Sequence, residues 1–364
     1  MPPQKTFKPS FWVVFFFLFF LGSPLFSNQW IFFQNHLHST DDHQYSRFPR
    51  STPPFASYSA QGIQTLVQMA KESGIQALAI TDHNTIHPWF DPVFTQEKDV
   101  ILLPAMEWTS MFAGHASLLG FKATDPSHAF VPPDPRGPLE GHDYQTMIQG
   151  VHERGGLVVI NHPKSLYIPH RWPATPYDAD GIELNFLPFM LPDSVIDWWQ
   201  KNLRVGRYLF LLGGSDFHVG NEWGGPFQST SLVWVKEPTQ EALLEALREG
   251  RLQVLRSPSS PQIYLTMMTE KESFQVGDRV VGLGPLQSVF LEIHVVGNKA
   301  ENLEGITVHL FNREGEIASA QITDQAFSWT GHFTPQHPRD FLWATVEKDS
   351  ELQTLLNPIY IESF

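Results

Sequence analysis

The chain repeatedly places a run of apolar residues shortly before a histidine or an acidic residue. A short apolar run bounded by polar residues is typical of a buried β-strand. Such runs are followed, in chain order, by these residues that can bind a metal ion: His36, His83, Glu107, His162 and Asp216. Side chains at the carboxyl ends of neighbouring parallel strands share one rim, so we expect these residues to converge. The pattern predicts an α/β protein with a polar site at its strand ends.

The first of these histidines has a second one two positions after it. Residues 30–33 are apolar and predict a strand. Alternate residues of a strand face the same side, so His36 and His38 should point together while Leu37 points away. Two adjacent imidazoles are half of a metal site. The alternative is a pair of solvated histidines in a turn, and the candidate ligands farther along the chain favour the metal site.

The segments between the strands carry helical patterns, which favours an irregular α/β barrel over an open sheet. Amphipathic helices are predicted at residues 61–74, 144–154, 193–202 and 239–249, and an edge strand at 251–255. A Ser- and Pro-rich linker follows at 257–261, and beyond it the apolar residues alternate with period two. We therefore predict an α/β domain over residues 28–256 and a small C-terminal β-sandwich over residues 257–364.

The first 27 residues differ from the rest of the chain. Lys5 and Lys8 precede an apolar core at residues 11–21, and small residues follow it. This arrangement predicts a signal peptide, because the core is short for a membrane-spanning helix. The expected location is periplasmic or extracellular. The alternative is an uncleaved anchor, which would be the chain's only route to a membrane.

Composition limits the partners and the type of metal site. The formal net charge of −14 argues against nucleic acid as a partner, because such a surface repels polyanions. An anionic substrate would need local positive charge, which bound metal ions would provide. The chain has no cysteine, so any metal must be held by histidine and carboxylate.

Six motifs occur in a defined order along the chain. They are His36-Leu37-His38, Thr81-Asp82-His83, Glu107, Gly114-His115, Asn161-His162-Pro163 and Ser215-Asp216-Phe217-His218. On these motifs, which lie within residues 30–255, the chain resembles the PHP (polymerase and histidinol phosphatase) metallohydrolases. The closest resemblance is to their CehA/McbA-like branch, which includes carbaryl hydrolases. It implies a distorted (β/α)7-type PHP barrel before the C-terminal β-sandwich.

The resemblance also implies how the metal ions would be held. The first ion would be bound by His36, His38, Glu107 and Asp216. Glu107 would be shared with a second ion, bound also by His115 and His162. The third would be bound by His43, His83 and His218, with Asp41 or Asp42 as alternatives to His43. Imidazole and carboxylate suit Zn²⁺, Mn²⁺ and Fe²⁺, so two or three such divalent ions are expected.

The expected metal ions indicate a metal-dependent hydrolase. Metal binding lowers the pKa of water to about 7, and a hydroxide bridging two ions could attack phosphorus in line. A phosphoesterase acting on a small-molecule phosphate ester is the favoured interpretation. The same hydroxide could attack a carbonyl carbon, so a carboxyl or carbamate ester hydrolase is the alternative. A non-catalytic binding protein that a metal stabilises is a further alternative.

Other residues near the motifs are candidates for catalysis. Asp216 is a candidate catalytic residue as well as a candidate metal ligand. Lys164 and Arg171 could contact a phosphate oxygen, and His170 could be a general acid; all three could instead be solvated surface residues. Asp82 could orient an imidazole or stabilise a turn. Glu183, an acidic residue within an apolar strand, could contact the site or be structural.

The loops that would select the substrate carry aromatic residues. These loops are residues 88–97, 124–141 and 167–177. Their Trp and Phe side chains predict an organic leaving group, although loops also carry aromatic residues that only pack against the core.

Overall fold

The structure is a computed structural model, and it describes part of the chain. The described residues are 28–39, 60–110, 114–122, 142–167, 178–218, 225–284, 287–297, 305–322 and 326–363. The predicted signal segment at residues 1–27 lies outside them. Within the described ranges, every helix is too short or too polar to span a membrane.

Strands outnumber helices in the described part of the chain. The strands are β1 (Gln29–His38), β2 (Ala77–Ile80), β3 (Ile101–Leu103), β4 (Ala105–Ser110), β5 (Gly114–Leu119), β6 (Leu157–Asn161), β7 (Gly181–Leu184), β8 (Phe210–His218), β9 (Thr230–Val235), β10 (Leu252–Leu255), β11 (Gln262–Met268), β12 (Ser273–Phe274), β13 (Arg279–Leu283), β14 (Val289–Val296), β15 (Ile306–Asn312), β16 (Gly315–Gln321), β17 (Ala326–Phe333), β18 (Arg339–Lys348) and β19 (Glu351–Ser363). The α-helices are α1 (Ala60–Ser73), α2 (Pro92–Gln96), α3 (His142–His152), α4 (Pro192–Arg204) and α5 (Gln240–Arg248), and short 3₁₀ helices span His87–Phe90 and Pro188–Met190. The fold is mixed α/β and rich in strands.

The four predicted amphipathic helices are confirmed as α1, α3, α4 and α5, with small differences at their ends. In α1 the apolar side chains of Ile63 and Leu66 are fully buried. Gly74 follows α1 with a φ of 71°, the left-handed conformation that glycine adopts most readily after a helix. Helix α5 begins after Thr239, whose side-chain oxygen accepts a hydrogen bond from the backbone of Ala242 at 3.2 Å.

Strand β1 lies at the centre of the sheet that positions the site. It pairs in parallel with β2 on one side and β8 on the other, and its first half pairs antiparallel with β9. From β8 the sheet continues through β7 and β6 in parallel and then through β5 and β4 in antiparallel pairing. Glu107 of β4 also forms an isolated parallel bridge with His83, which follows β2. The carboxyl ends of β1, β2, β6 and β8 therefore meet at one rim.

The apolar run at residues 100–106, which precedes Glu107, forms two strands in the structure. Pro104, which has no backbone N–H for a sheet ladder, separates β3 from β4. Strand β3 pairs in parallel with β2, whereas β4 pairs antiparallel with β5. The chain therefore changes sheet partner at Pro104, and this change brings Glu107 to the rim.

The prediction that residues 251–255 form an edge strand is wrong. Strand β10 lies inside the sheet, between β9 and the last strand, β19. Asn357 of β19 strengthens this arrangement, because its buried side chain binds the backbone N–H and carbonyl of Leu211 at 2.7 and 2.9 Å and the carbonyl of Leu252 at 3.2 Å. The end of the chain thus anchors β8, which carries Asp216.

The C-terminal strands form two packed layers. One is a sheet in the order β12-β11-β14-β17, and its inward residues, such as Leu291 and Ile293, share a core with β15, β18 and β19. The other layer continues through β19 and β10 into the first part of the chain. Trp199 of α4 packs edge-on against Trp343 of β18, with ring centroids 5.3 Å apart. The predicted barrel and the boundary at residue 256 stay predictions.

Candidate metal centre

Most of the predicted ligands lie at the rim formed by the strand ends. His36 and His38 end β1, His83 follows β2, Glu107 is in β4, His115 is in β5, His162 follows β6, and Asp216 and His218 end β8. These positions span 36 to 218 in the sequence, yet they form one cluster. Parallel pairing explains most of this convergence, because it aligns the carboxyl ends of strands that are distant in sequence. His115 joins the cluster because β5 runs antiparallel to β6, which places the start of β5 at the same rim.

Glu107 is at the centre of the cluster and is fully buried. Its Oε1 lies 3.0 Å from His36 Nε2, 3.1 Å from His115 Nδ1 and 3.3 Å from His162 Nε2. The side-chain amide of Asn161 also donates to Oε1 at 2.9 Å. Its Oε2 lies 2.7 Å from His83 Nδ1 and 3.7 Å from His38 Nε2. A carboxylate with imidazoles at both oxygens is suited to bridging two cations.

Asp216 is the second carboxylate of the cluster, and it lies on the accessible side. Its Oδ1 is 3.2 Å from His36 Nε2 and 3.3 Å from His38 Nε2. The side chains of Asp216 and His218 are each 16% exposed, whereas that of Glu107 is 0% exposed. The rings of His38 and His218 stack with centroids 4.0 Å apart. The cluster therefore opens to solvent beside Asp216 and His218.

Glu183 of β7 is a third carboxylate next to the cluster. Its Oε2 lies 2.9 Å from His36 Nδ1 and accepts a hydrogen bond from the backbone N–H of His162 at 3.2 Å. Of the two interpretations left open by the sequence, contact with the site is therefore the correct one. The only local signal was an acidic residue inside an otherwise apolar strand.

The backbone is strained at three of the candidate ligands. His36, His162 and Asp216 have φ values of 62°, 28° and 53°, in the left-handed region that residues other than glycine rarely adopt. Each such conformation costs about 1–3 kcal/mol and persists only when surrounding contacts enforce it. In β1 the register shifts between Gln34 and Leu37, so His36 and His38 reach the same centre through a bulge and not through simple alternation.

Burial and charge have opposite effects on the titration of the cluster. Burial opposes ionisation of Glu107, but neighbouring imidazoles, that of His115 foremost, hold the pKa of its carboxyl well below the usual range. The pKa of Asp216 is likewise lowered, against the effect of burial, chiefly by His36. Burial lowers the pKa of His36 too, but the surrounding carboxylates, that of Glu107 foremost, raise it well above its usual value. Burial lowers the pKa of His115 to about 4, so this imidazole is neutral at pH 7.

The donor set fits divalent metal ions. Ionised carboxylates bind such ions directly, and an imidazole binds them through a nitrogen that carries no proton. Among the described residues, four groups of three place one ligand atom each within 4.8 Å of one another: His36, His38 and Glu107; His83, Glu107 and His115; His38, His83 and His218; and His36, His162 and Glu183. The first three groups resemble the three implied sites, but His38 joins His83 and His218, and His83 joins His115 and Glu107.

Several predicted residues lie outside the described part of the chain. They are His43 with its alternatives Asp41 and Asp42, and His170 and Arg171. The described Lys164 has its Nζ 5.0 Å from the centroid of the Trp198 ring, so its ammonium group is directed toward α4. Its predicted contact with phosphate stays a prediction.

Asp82 binds the residue that follows β1. Its Oδ1 accepts a hydrogen bond from the Ser39 backbone at 2.8 Å, and its Oδ2 accepts one from the Ser39 hydroxyl at 2.6 Å. These bonds hold the end of β1 against the residue before His83. The structure thus supports the turn-stabilising interpretation of Asp82.

Two aromatic residues of the predicted substrate loop at 88–97 pack inside the protein. Trp89 is 7% exposed, donates its indole N–H to the carbonyl of Ala105 at 2.6 Å and packs edge-on against Phe121. Phe94 is 8% exposed. For this pair the packing interpretation is correct. The loop at 124–141 and residues 168–177 lie outside the described part.

Two further polar residues support the cluster but were not predicted to be in it. Asn161 donates to Glu107, and the hydroxyl of Thr109 lies 2.6 Å from His83 Nδ1. Asn161 directly precedes a predicted ligand, and Thr109 is two positions after Glu107 on the same strand. Proximity in the sequence was the available signal for both.

Comparisons with known proteins found distant likenesses among solved structures alone. A scan against models of protein families and a search of curated proteins found no match. Among solved structures, a two-domain protein from Bacteroides vulgatus, described as containing a predicted PHP-like metal-dependent phosphoesterase, is 14% identical, covers 91% of this chain and 96% of its own, and has a TM-score of 0.46. A CARDB domain from Pyrococcus furiosus is 11% identical, covers 29% of this chain and 97% of its own, and has a TM-score of 0.22. At these TM-scores neither likeness supports an argument about the fold.

Proposed function

We propose that the chain is a metal-dependent hydrolase whose substrates are phosphate esters of small molecules. The observation that carries the proposal is the buried carboxylate of Glu107, whose two oxygens face imidazole nitrogens from several strand ends at 2.7–3.7 Å. The motif resemblance to PHP metallohydrolases agrees with this arrangement.

The number of donors favours catalysis over a purely structural metal. Structural zinc sites are closed and usually have four ligands. The cluster offers more imidazoles and carboxylates than one such ion needs, and its side near Asp216 is accessible. Strained backbone at three candidate ligands is also typical of functional sites. A site built only for stability would have no need of that opening.

Different residues of the chain would bind the metal ions and take part in catalysis. Glu107 and the imidazoles around it would hold the metal ions, which supply a water of lowered pKa and neutralise negative charge on the substrate. Asp216 lies at the partly exposed side of the cluster, where its carboxylate could hold a metal ion and accept a hydrogen bond from the attacking water. Burial of Glu107 excludes bulk water from the inner side and strengthens each electrostatic contact there.

An activity assay tests the proposal and separates it from its alternatives. Purified protein should hydrolyse phenyl phosphate, lose the activity with a chelator and regain it with Mn²⁺ or Zn²⁺. The Asp216→Asn variant should be inactive, and the control His294→Gln, which alters a histidine paired with Glu292 in β14, should retain full activity. Hydrolysis of phenyl acetate or a phenyl carbamate alone would favour carbonyl chemistry. Metal binding without any hydrolysis would favour the non-catalytic alternative.

Two proposals about architecture and location accompany this function. We propose that the parallel strands close into a distorted barrel; in support, the bridge between His83 and Glu107 joins the β2 side of the sheet to β4. We also propose that the protein is exported, on the basis of the sequence of residues 1–27 alone. N-terminal sequencing of the protein from the cell envelope fraction would test the second proposal.

A further inference from the structure

Glu183 is placed to control which nitrogen of His36 faces the metal centre. One side of the imidazole, Nδ1, lies 2.9 Å from Glu183 Oε2. The other nitrogen, Nε2, lies 3.0 Å from Glu107 Oε1 and 3.2 Å from Asp216 Oδ1. An imidazole that binds a metal ion has one N–H and one lone pair, so a carboxylate at Nδ1 keeps the N–H there. The lone pair of Nε2 then faces the two other carboxylates.

That arrangement calls for a cation. With the proton on Nδ1, Nε2 and the two carboxylate oxygens near it are all electron-pair donors within 3.0–3.2 Å. Such a group is stable in a buried site only with positive charge between its members, supplied by a proton on Nε2 in the metal-free protein and by a metal ion in its place. The contact between Glu183 and His36 therefore prepares His36 to bind a metal through Nε2.

Glu183 also supports the backbone of a second candidate ligand. Its Oε2 accepts the N–H of His162, a residue with a φ of 28°. One carboxylate oxygen thus holds the ring of His36 and the strained backbone of His162. Since this oxygen accepts hydrogen bonds from two candidate ligands, its geometry fits a residue that orients them.

The space for Glu183 exists only because residue 214 is glycine. A Cβ at Gly214 would lie 2.7 Å from both Cδ and Oε1 of Glu183. Such a contact would force the carboxyl group to move. Gly214 has no positive φ, so an alanine there would displace Glu183 without straining its own backbone.

We infer that Glu183 is a positioning residue that holds the His36 ring with its Nε2 directed at the metal centre. The inference rests on the proposed metal-dependent function. Carboxylates that hold a ligating histidine in this way fix its tautomer, and their removal typically weakens metal binding about 10–100-fold.

The test is the metal affinity of the Glu183→Gln variant, measured by competition with a chromophoric Zn²⁺ chelator. The affinity should fall about 10–100-fold, while the number of ions bound at saturation should stay the same. The matched control is Asp340→Asn, which alters a buried carboxylate of β18 that accepts hydrogen bonds from the Arg313 and Phe341 backbones. It should leave the affinity unchanged. An unchanged affinity in Glu183→Gln, or the loss of a whole metal equivalent at saturation, would overturn the inference.

The Gly214→Ala variant provides a second route if Glu183→Gln fails to fold. It keeps the carboxylate of Glu183 but moves it, so the metal affinity should fall in this variant too. Wild-type affinity in a folded Gly214→Ala protein would contradict the inference.

A spectroscopic measurement separates failure of the inference from failure of the proposed function. In ¹⁵N-histidine-labelled protein, Nδ1 of His36 should carry a slowly exchanging proton, assigned with a His36→Gln variant. That signal should change in Glu183→Gln and stay the same in Asp340→Asn, even in metal-free protein. If the wild type binds no metal, the proposed function fails while this signal still decides the role of Glu183. If the signal is the same in wild type and Glu183→Gln, the inference fails even where metal binds.

Discussion

Replacing Glu107 with glutamine tests whether one carboxylate couples the whole cluster. The substitution keeps the shape of the side chain but removes its negative charge. In the structure Glu107 lies 3.0 Å from His36 and 2.7 Å from His83, and it accepts a hydrogen bond from Asn161 at 2.9 Å. A neutral amide cannot hold cations on both sides. We therefore expect Glu107→Gln to lose metal from more than one site.

The size of the effect follows from ligand linkage. A metal at 100 times its dissociation constant stabilises the folded protein by about 2.7 kcal/mol per site. For a chain of 364 residues, 1 kcal/mol corresponds to about 1–2 °C in melting temperature. Metal should therefore raise the melting temperature of the wild type by about 3–5 °C for each occupied site and that of Glu107→Gln by less than about 1 °C.

Differential scanning fluorimetry with chelator and with excess Mn²⁺ or Zn²⁺ measures this difference directly. Each variant is compared with and without metal, so the effect of the substitution on the stability of the metal-free protein cancels. Asp340→Asn, which alters a buried carboxylate remote from the cluster in sequence and sheet, should keep the wild-type shift. A shift in Glu107→Gln equal to that of the wild type would refute the central role of Glu107.

Three further predictions concern the framework. Asn357→Ala should lower the free energy of unfolding by about 3 kcal/mol in urea titrations, since three buried hydrogen bonds of about 1 kcal/mol each are lost; a loss below about 1 kcal/mol would contradict the anchoring of β8. The hydrogen bond to Asp180 raises the pKa of His152, so this contact stabilises the fold below about pH 6.5 and its contribution is lost as pH rises through the raised pKa. His152→Gln should therefore cost up to about 0.5 kcal/mol at pH 6 and nothing at pH 9, whereas an equal cost at both would exclude this linkage. Thr239→Ala should destabilise the protein by about 1 kcal/mol through loss of the cap of α5, while a neutral effect in the same urea titration would count against the cap.

The convergence of the candidate ligands could be predicted because most of them are marked by their own local sequence. An apolar run followed by histidine or carboxylate marks a strand end, and parallel strand ends meet whatever their separation along the chain. His36 and His162 are 126 positions apart in the sequence, yet their ring centroids lie 5.4 Å from each other. No knowledge of their pairing was needed to expect that they would meet.

Features that depend on a distant partner could not be predicted in this way. Strand β10 was expected at an edge, and only its pairing with β19, about a hundred residues later, places it inside the sheet. Glu183 is an acidic residue in an apolar strand, and its partner His36 lies 147 positions away. The direction of β4 could not be predicted either, because an apolar run looks the same in parallel and antiparallel pairing. Pro104 was the one local sign of the change.

The most direct test of the account is the amount of metal bound to the purified protein. Mass spectrometric metal analysis after exhaustive dialysis should find two or three equivalents of Zn, Mn or Fe per chain. The count should fall when His36 or Glu107 is replaced and stay constant in Asp340→Asn. Fewer than one equivalent in the wild type, even after incubation with these metals, would contradict the claim that this cluster is a metal centre.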